Sequence, residues 1–279
     1  MTPLNTVYRK LLFIILITLL TAGWKHTHAQ ELEYGGWVGV ANYFGDLNSN
    51  ASFEFLGPAG GMFFRYNLGT RFAFKNGFNY GKVSFEDAVS EFTYQQSRNL
   101  SFKSDIVEFS SHVEFNFFKY DREKKQHSFT PYLLTGISVF YFNPKAEFEG
   151  DIYALQPLET EGKKYSRINF AIPVGGGFKY SFTPYWTLGL EGGFRKTFTD
   201  YLDDVSDVYP GLLAGNGDPS LANSLSDRSG EVTDPPIGKQ GKQRGFEERK
   251  DGYMFFGISI SYSPIRMKCP KPSKIQPWK

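Results

Sequence analysis

SRINFAIPVGGGFKYSFTPYWTLGLEGGFRKTFTDYLDDVSD, residues 166 to 207, is the stretch on which the fold turns. In its first arm Ile168, Phe170, Ile172, Val174, Phe178, Tyr180 and Phe182 occupy even positions, while Asn169, Ala171, Pro173, Gly175, Gly177, Lys179 and Ser181 occupy odd ones. The second arm repeats the pattern, with Trp186, Leu188, Leu190, Phe194 and Phe198 alternating with Thr187, Gly189, Glu191, Gly193, Arg195 and Thr197. Successive side chains of a strand point to opposite faces, so this period of two predicts two strands. Only the Thr183-Pro184 turn separates them, which makes an antiparallel hairpin. One face is aromatic and aliphatic; the other carries glycine, hydroxyls and full charges. A soluble barrel would turn the first face inward, whereas a membrane-spanning barrel turns it to lipid and keeps a polar lumen. One hairpin fits either.

The rest of the chain decides between them. Aromatic residues make up 18% of the 279, with 28 Phe, 17 Tyr and 29 Gly, a composition suited to strands, turns and aromatic belts. A net charge of +2 argues neither for nucleic acid nor for a strongly acidic ligand, and no nucleic-acid partner is expected. The single cysteine, Cys269, excludes an intrachain disulfide framework and a cysteine-rich zinc site. Near the start, Arg9 and Lys10 precede an apolar run from Leu11 to Leu20 and then Thr27-His28-Ala29 before Gln30. That is the pattern of a secretory signal peptide, expected over residues 1–29. The run is short for a helical span of about 20 residues. No cysteine follows the expected cleavage point, which argues against a lipoprotein.

Six more alternating stretches follow the pattern of the hairpin, at about Glu33–Tyr43, Pro58–Leu68, Phe72–Tyr80, Ser104–Tyr120, Phe129–Phe142 and Gly252–Tyr262. The fifth alternates poorly, since Leu133, Leu134, Ile137, Val139, Phe140 and Tyr141 occupy both faces. The expected total is eight strands. The connections after strands one, three, five and seven run to roughly 14, 20, 22 and 50 residues, and the others to about 3, 9 and 2, the short-turn, long-loop asymmetry of outer-membrane barrels. The expected fold is therefore all-β, an eight-stranded antiparallel up-and-down transmembrane barrel over residues 30–263. Residues 200–250 are read as one long external loop and residues 264–279 as a basic periplasmic tail. The expected location is the cell outer membrane.

On this register the lumen collects Glu33, Arg65, Arg71, Lys75, Glu108, His112, Glu114, Lys179, Glu191 and Arg195. Eight strands leave just enough width for side chains to fill, so these charges are expected to pair into a plug. Ser110 and His112, with Glu108 and Glu114 beside them, would need mutual hydrogen bonds and access to substrate to act as a hydrolase. These residues would sit inside a packed lumen, away from lipid, and no catalytic residue is expected. The acids Asp200, Asp203, Asp204 and Asp207, with Asp46 and Asp87, supply oxygen ligands of the kind calcium takes. They lack the glycine and terminal glutamate of a twelve-residue calcium loop, and no metal or cofactor is expected.

Four segments carry a family resemblance: ANYFGDLN (41–48), FFRYNL (63–68), RNLSFKSDIVEFSSHVEFNFFKY (98–120) and RKTFTDYLDDVSDVY (195–209). Together they resemble PorG, the small outer-membrane barrel of the type IX secretion system of Bacteroidota, over nearly the whole mature chain. The resemblance implies a part in assembly, tying a periplasmic ring lipoprotein and its associated secretion-motor subunits to the membrane in a secretion or gliding machine. It brings no catalytic residues. Its most specific run makes Thr199, Asp200, Tyr201, Asp203, Asp204 and Asp207, with Asp46, the candidate partner-contact loop, although strand parity puts these residues on the external side. Membrane lipid and lipopolysaccharide are the other expected partners. The alternative is a stand-alone barrel of the OmpW or OmpX kind that passes or binds a small solute.

Overall fold

The computed structural model describes residues 31–122, 125–213, 219–246 and 250–264. The signal segment and all but the first residue of the basic tail lie outside the described residues. Nine strands form one antiparallel sheet: β1 (Glu31–Phe44), β2 (Gly57–Asn67), β3 (Phe72–Glu86), β4 (Ser101–Asn116), β5 (Phe129–Phe148), β6 (Asp151–Ala154), β7 (Ile168–Ser181), β8 (Trp186–Thr197) and β9 (Gly252–Tyr262). Each barrel strand pairs with its neighbours in sequence, β9 returns to β1, and β4 meets β5, so eight strands close. Closure leaves no barrel strand with an unpaired edge, which is the condition for crossing a bilayer with strands. Among the described residues no helix is long and apolar enough to cross a membrane.

β6 is a strand absent from the sequence reading. It folds back on the top of β5 through Glu149 and Gly150, both at positive φ (52° and 89°), which is the geometry a tight hairpin needs. β3, β4 and β5 all continue past the apolar belt at this end. Their outward faces then become charged, with Lys145 3.2 Å from Asp105 and Lys103 3.7 Å from Glu147.

Sidedness is plain from exposure. Met62 is 73% exposed and Ile137 70%, and Val38, Phe78, Phe170 and Ile258 also stand outward, while Glu33, Glu108 and Glu114 are fully buried. So continuous an apolar outer surface around a charged interior is that of a barrel in lipid. The protein is an outer-membrane β-barrel. β5 alternates poorly in sequence because its inward face, Tyr132, Leu134, Phe140 and Phe142, is itself apolar and buried. Phe140 and Phe142 belong to a second interior region. Near the long-loop mouth Ala41, Tyr43, Leu47, Val83, Phe85, Phe102, Ile106, Phe140, Phe142, Leu202, Val205, Tyr253 and Phe255 form one apolar cluster.

The region 200–250, expected as a single loop, is packed over that mouth. Residues 207–209 exchange backbone hydrogen bonds with 241–245. A helix, α2 (Pro219–Ser226), sets Leu225 against Ala146 and Leu155. The shorter α1 (Thr93–Arg98), between β3 and β4, ends at Asn99 in the left-handed conformation.

Candidate functional site

Nine of the ten expected lumen residues do line the interior. Arg65 lies 2.9 Å from Glu33 and 2.9 Å from Glu114, and Lys179 reaches Glu114 at 2.7 Å. Lys75 binds both oxygens of Glu191 (2.8 and 2.6 Å), and Arg195 meets Glu108 at 3.3 Å. Each of these ties except Arg65–Glu33 joins strands that are not neighbours in the sheet, and Lys75–Glu191, from β3 to β8, spans the tube from one side to the other. Pairing is obligatory here, because breaking a buried ion pair costs about 3–5 kcal/mol. Arg71 is the exception. It sits ahead of β3 and is exposed, donating to the backbone carbonyls of Asn116 and Phe117 instead. The correction is one of strand length, since β3 begins at Phe72 and the inward parity does not extend back to Arg71.

Several partners went unread in the sequence. Tyr132 donates to Glu191 (2.5 Å), Tyr253 and Asn79 to Glu108 (2.7 and 2.8 Å), and Asn67 to Glu33 (2.8 Å). All four sit at inward positions of their strands, so parity was the available signal. Arg122, in the turn after β4, approaches Glu33 at 3.8 Å, and nothing in its local pattern points there. Two glycines make room for this packing. A Cβ on Gly177 would lie 2.9 Å from the Tyr132 hydroxyl, and one on Gly35 would lie 2.4 Å from the Phe63 ring, over which Lys75 sits at 4.6 Å.

His112 is buried with neither ring nitrogen hydrogen-bonded. The void beside it, about 20 Å³ between Lys75, Ser110, Glu191 and Arg195, would hold one water molecule. Ser110 accepts from Asn79 (3.1 Å) and makes no bond to His112, so the nucleophile–base contact of a hydrolase is not formed.

The candidate contact loop turns its acids inward. Asp46, Thr199, Asp200, Asp203 and Asp204 are buried, and only Tyr201 and Asp207 are half-exposed. The buried carboxylates hold backbone N–H groups of the loops that cross the mouth. Asp46 accepts from Phe246 (2.8 Å), Asp203 from Val205 (3.0 Å), Asp251 from Leu202 (2.9 Å) and Glu161 from Ser206 (2.9 Å). Asp87 accepts from Leu100 (3.0 Å) and takes two bonds from Arg98 (2.7 and 2.8 Å). Arg98 in turn donates to the carbonyl of Arg244, whose guanidinium meets Glu161 at 2.8 Å. Tyr43 bridges Asp203 (2.5 Å) and Asp251 (3.2 Å). A carboxylate that accepts backbone amides acts as a loop staple. Among the described residues no group of three or more such side chains is placed to hold a metal ion.

Crowding so many acids has an electrostatic consequence. Burial lifts the Asp200 carboxyl to about 7, with Asp46 adding to the rise and Ser206 and Lys250 opposing it. Burial likewise lifts Asp204 to about 6, against the pull of Arg244, Thr160 and Tyr165. Asp203 and Asp251 are pushed well above the usual carboxylate range by burial and then by neighbouring acids.

The family model of the domain of unknown function DUF6089 matches residues 9–216. The chain belongs to the DUF6089 family. No curated protein matches it. Among solved structures, this DUF6089 barrel is similar to Ail of Yersinia pestis, at 8% identity over 85% of this chain and 99% of that one, with a TM-score of 0.42. OprG from Pseudomonas aeruginosa matches at 10% identity over 85% and 97%, with a TM-score of 0.43. Neisserial surface protein A matches at 10% over 83% and 96%, with a TM-score of 0.42. The fold and sidedness given above for the DUF6089 chain rest on its own strand pairing and exposure.

Proposed function

We propose that this DUF6089 barrel is a non-enzymatic component of a type IX protein secretion or gliding machinery, anchoring a periplasmic ring complex to the outer membrane. The observation that carries the mechanical half of this reading is the braced lumen. Ion pairs joining β2 to β4, β4 to β7, β3 to β8 and β4 to β8 make the barrel a stiff post whose described lumen is crossed by paired charges. The four segments that resemble PorG supply the other half, the secretion role and the ring lipoprotein with its motor subunits as partners. Because the acids at the long-loop end are turned inward, docking falls to the short-turn end, at residues 67–70 and 121–127 and the basic tail. The test is deletion of the gene together with affinity capture of the mature barrel from detergent. Loss of secretion of proteins bearing the C-terminal sorting domain, unchanged small-solute permeability and co-purification of a lipoprotein are expected. Normal secretion with altered uptake would overturn the reading.

One observation favours the second reading, a stand-alone barrel that binds a small ligand. At the long-loop end a cleft of about 800 Å³ is lined by Phe92, Tyr94, Ile237 and Phe246, together with Lys239 and Lys242. That size is ordinary for a ligand site. Altered uptake or binding in a Phe92→Ala, Phe246→Ala variant, with secretion intact, would select it.

A further inference from the structure

The short-turn end carries a different cleft, of about 450 Å³, and its chemistry is one-sided. Phe117, Phe118 and Phe129 form its apolar wall, and Arg71, Lys119 and His127 supply its basic groups. No carboxylate is among the described residues that line it. Arg71 is fixed in place, because one guanidinium nitrogen is held by the carbonyls at the end of β4. Every lysine and arginine inside the lumen has a carboxylate within reach, whereas Arg71 and Lys119 have none among the described residues.

The position of the cleft narrows what can fill it. Its phenylalanines continue rows of rings around the barrel end. Phe72 lies 5.3 Å from Phe115 and Phe115 5.6 Å from Phe117, while Phe118 lies 6.4 Å from Phe129 and Phe129 6.1 Å from Phe178. Outward aromatic girdles sit at the level of lipid headgroups, and the short-turn end of an outer-membrane barrel is periplasmic. A molecule there meets hydrocarbon on one side of the cleft and water on the other. Two exposed cations with no acid between them favour a phosphate and repel a choline or ethanolamine ammonium, so a headgroup with net negative charge is preferred.

We propose that this cleft binds one anionic phospholipid of the periplasmic leaflet, its phosphate on Arg71 and Lys119 and its acyl chains along Phe117, Phe118 and Phe129. Arginine matches phosphate with paired donors and lysine adds a point charge, the usual division between the two. The site does not depend on a secretion role, only on the barrel standing in a membrane. Bound there, the lipid fixes the height of the barrel in the bilayer and the surroundings of the 116–129 turn.

The test is native mass spectrometry of the full mature barrel, purified in detergent and offered equal amounts of phosphatidylglycerol, phosphatidylcholine and lipopolysaccharide. Retention of a single phosphatidylglycerol in preference to the other two is expected. Arg71→Gln and Lys119→Gln should each weaken retention about fivefold. Lys239→Gln with Lys242→Gln, at the opposite end, should leave it unchanged. Heat-modifiable migration on gels confirms that each variant is folded, and Lys119, an exposed side chain, gives a second reading should Arg71→Gln fold poorly. Equal retention of phosphatidylcholine, preference for lipopolysaccharide, or indifference to both substitutions would overturn the proposal.

Discussion

Midway along the barrel the interior is ionic, while toward the long-loop mouth it is apolar with carboxylates gathered above the apolar layer. In the ionic region charges meet opposite charges from distant strands, as Glu114 does with Arg65 and Lys179. In the mouth the acids mostly meet backbone amides, as Asp46 does with Phe246 and Asp251 with Leu202. Charge balance differs accordingly. Asp46, Asp87, Glu161, Asp200, Asp203, Asp204 and Asp251 are buried there against, among the described residues, two buried cations, Arg98 and Arg244. The first region stiffens a tube in lipid. The second ties loops down, and because its charge is unbalanced its hold depends on protons.

The largest effect should come from breaking the ionic region at its branch point. Glu114→Gln leaves Arg65 and Lys179 facing each other without their shared anion, and the loss should be about 3–5 kcal/mol. Urea unfolding in lipid vesicles, read by tryptophan emission, measures it. Replacing a whole pair should do much less. Lys75→Met with Glu191→Met exchanges an ion pair for apolar contact of similar volume, and its cost should fall well below that of Glu191→Met alone. If the double variant lost as much as the single, the lumen would not be a set of paired charges.

In the mouth the corresponding change is Phe102→Ala. Phe102 is buried with its ring edge-on to Tyr43 at 4.7 Å, and truncation should remove about 3–5 kcal/mol. The expected signature differs from the first, since the loops should loosen before the barrel does. Hydrogen exchange should rise in residues 198–213 while amides of β7 and β8 stay protected. Uniform loss of protection would mean that the two regions form one cooperative unit.

How much of this could be read beforehand followed the reach of each signal. Strand parity is local, so the eight barrel strands and nine of the ten lumen residues were legible. Parity failed where a strand ended sooner than its pattern, at Arg71, and where it ran on, at Lys145–Phe148 with β6. The mouth was not legible. The acids of 199–207 read as a partner-contact loop through the family resemblance, and nothing in their local pattern marks them as buried. What buries them are groups far away in sequence, Tyr43, Glu161 and Arg244 among them. No period or spacing connects those positions.

The effect of pH separates the two regions most cleanly, because it requires no substitution. Asp200 rises from 3.8 to about 7 on folding, and Asp204 from 3.8 to about 6. A carboxyl with a raised folded value binds its proton more tightly in the folded state, so the folded loops hold more protons across that interval. Stability of the mouth is therefore undiminished below about pH 4, declines as pH climbs through the interval, and is lowest above pH 7. Limited proteolysis within 197–251 should accelerate from mildly acidic to mildly alkaline buffer while the barrel itself stays intact. Asp200→Asn keeps the shape, removes the proton-dependent charge and leaves Ser206 a hydrogen-bond partner, so it should flatten that dependence and slow nicking at the alkaline end. Faster nicking in acid, or an unchanged profile in Asp200→Asn, would show that the buried carboxylates are balanced after all and that mouth and midsection obey the same rule.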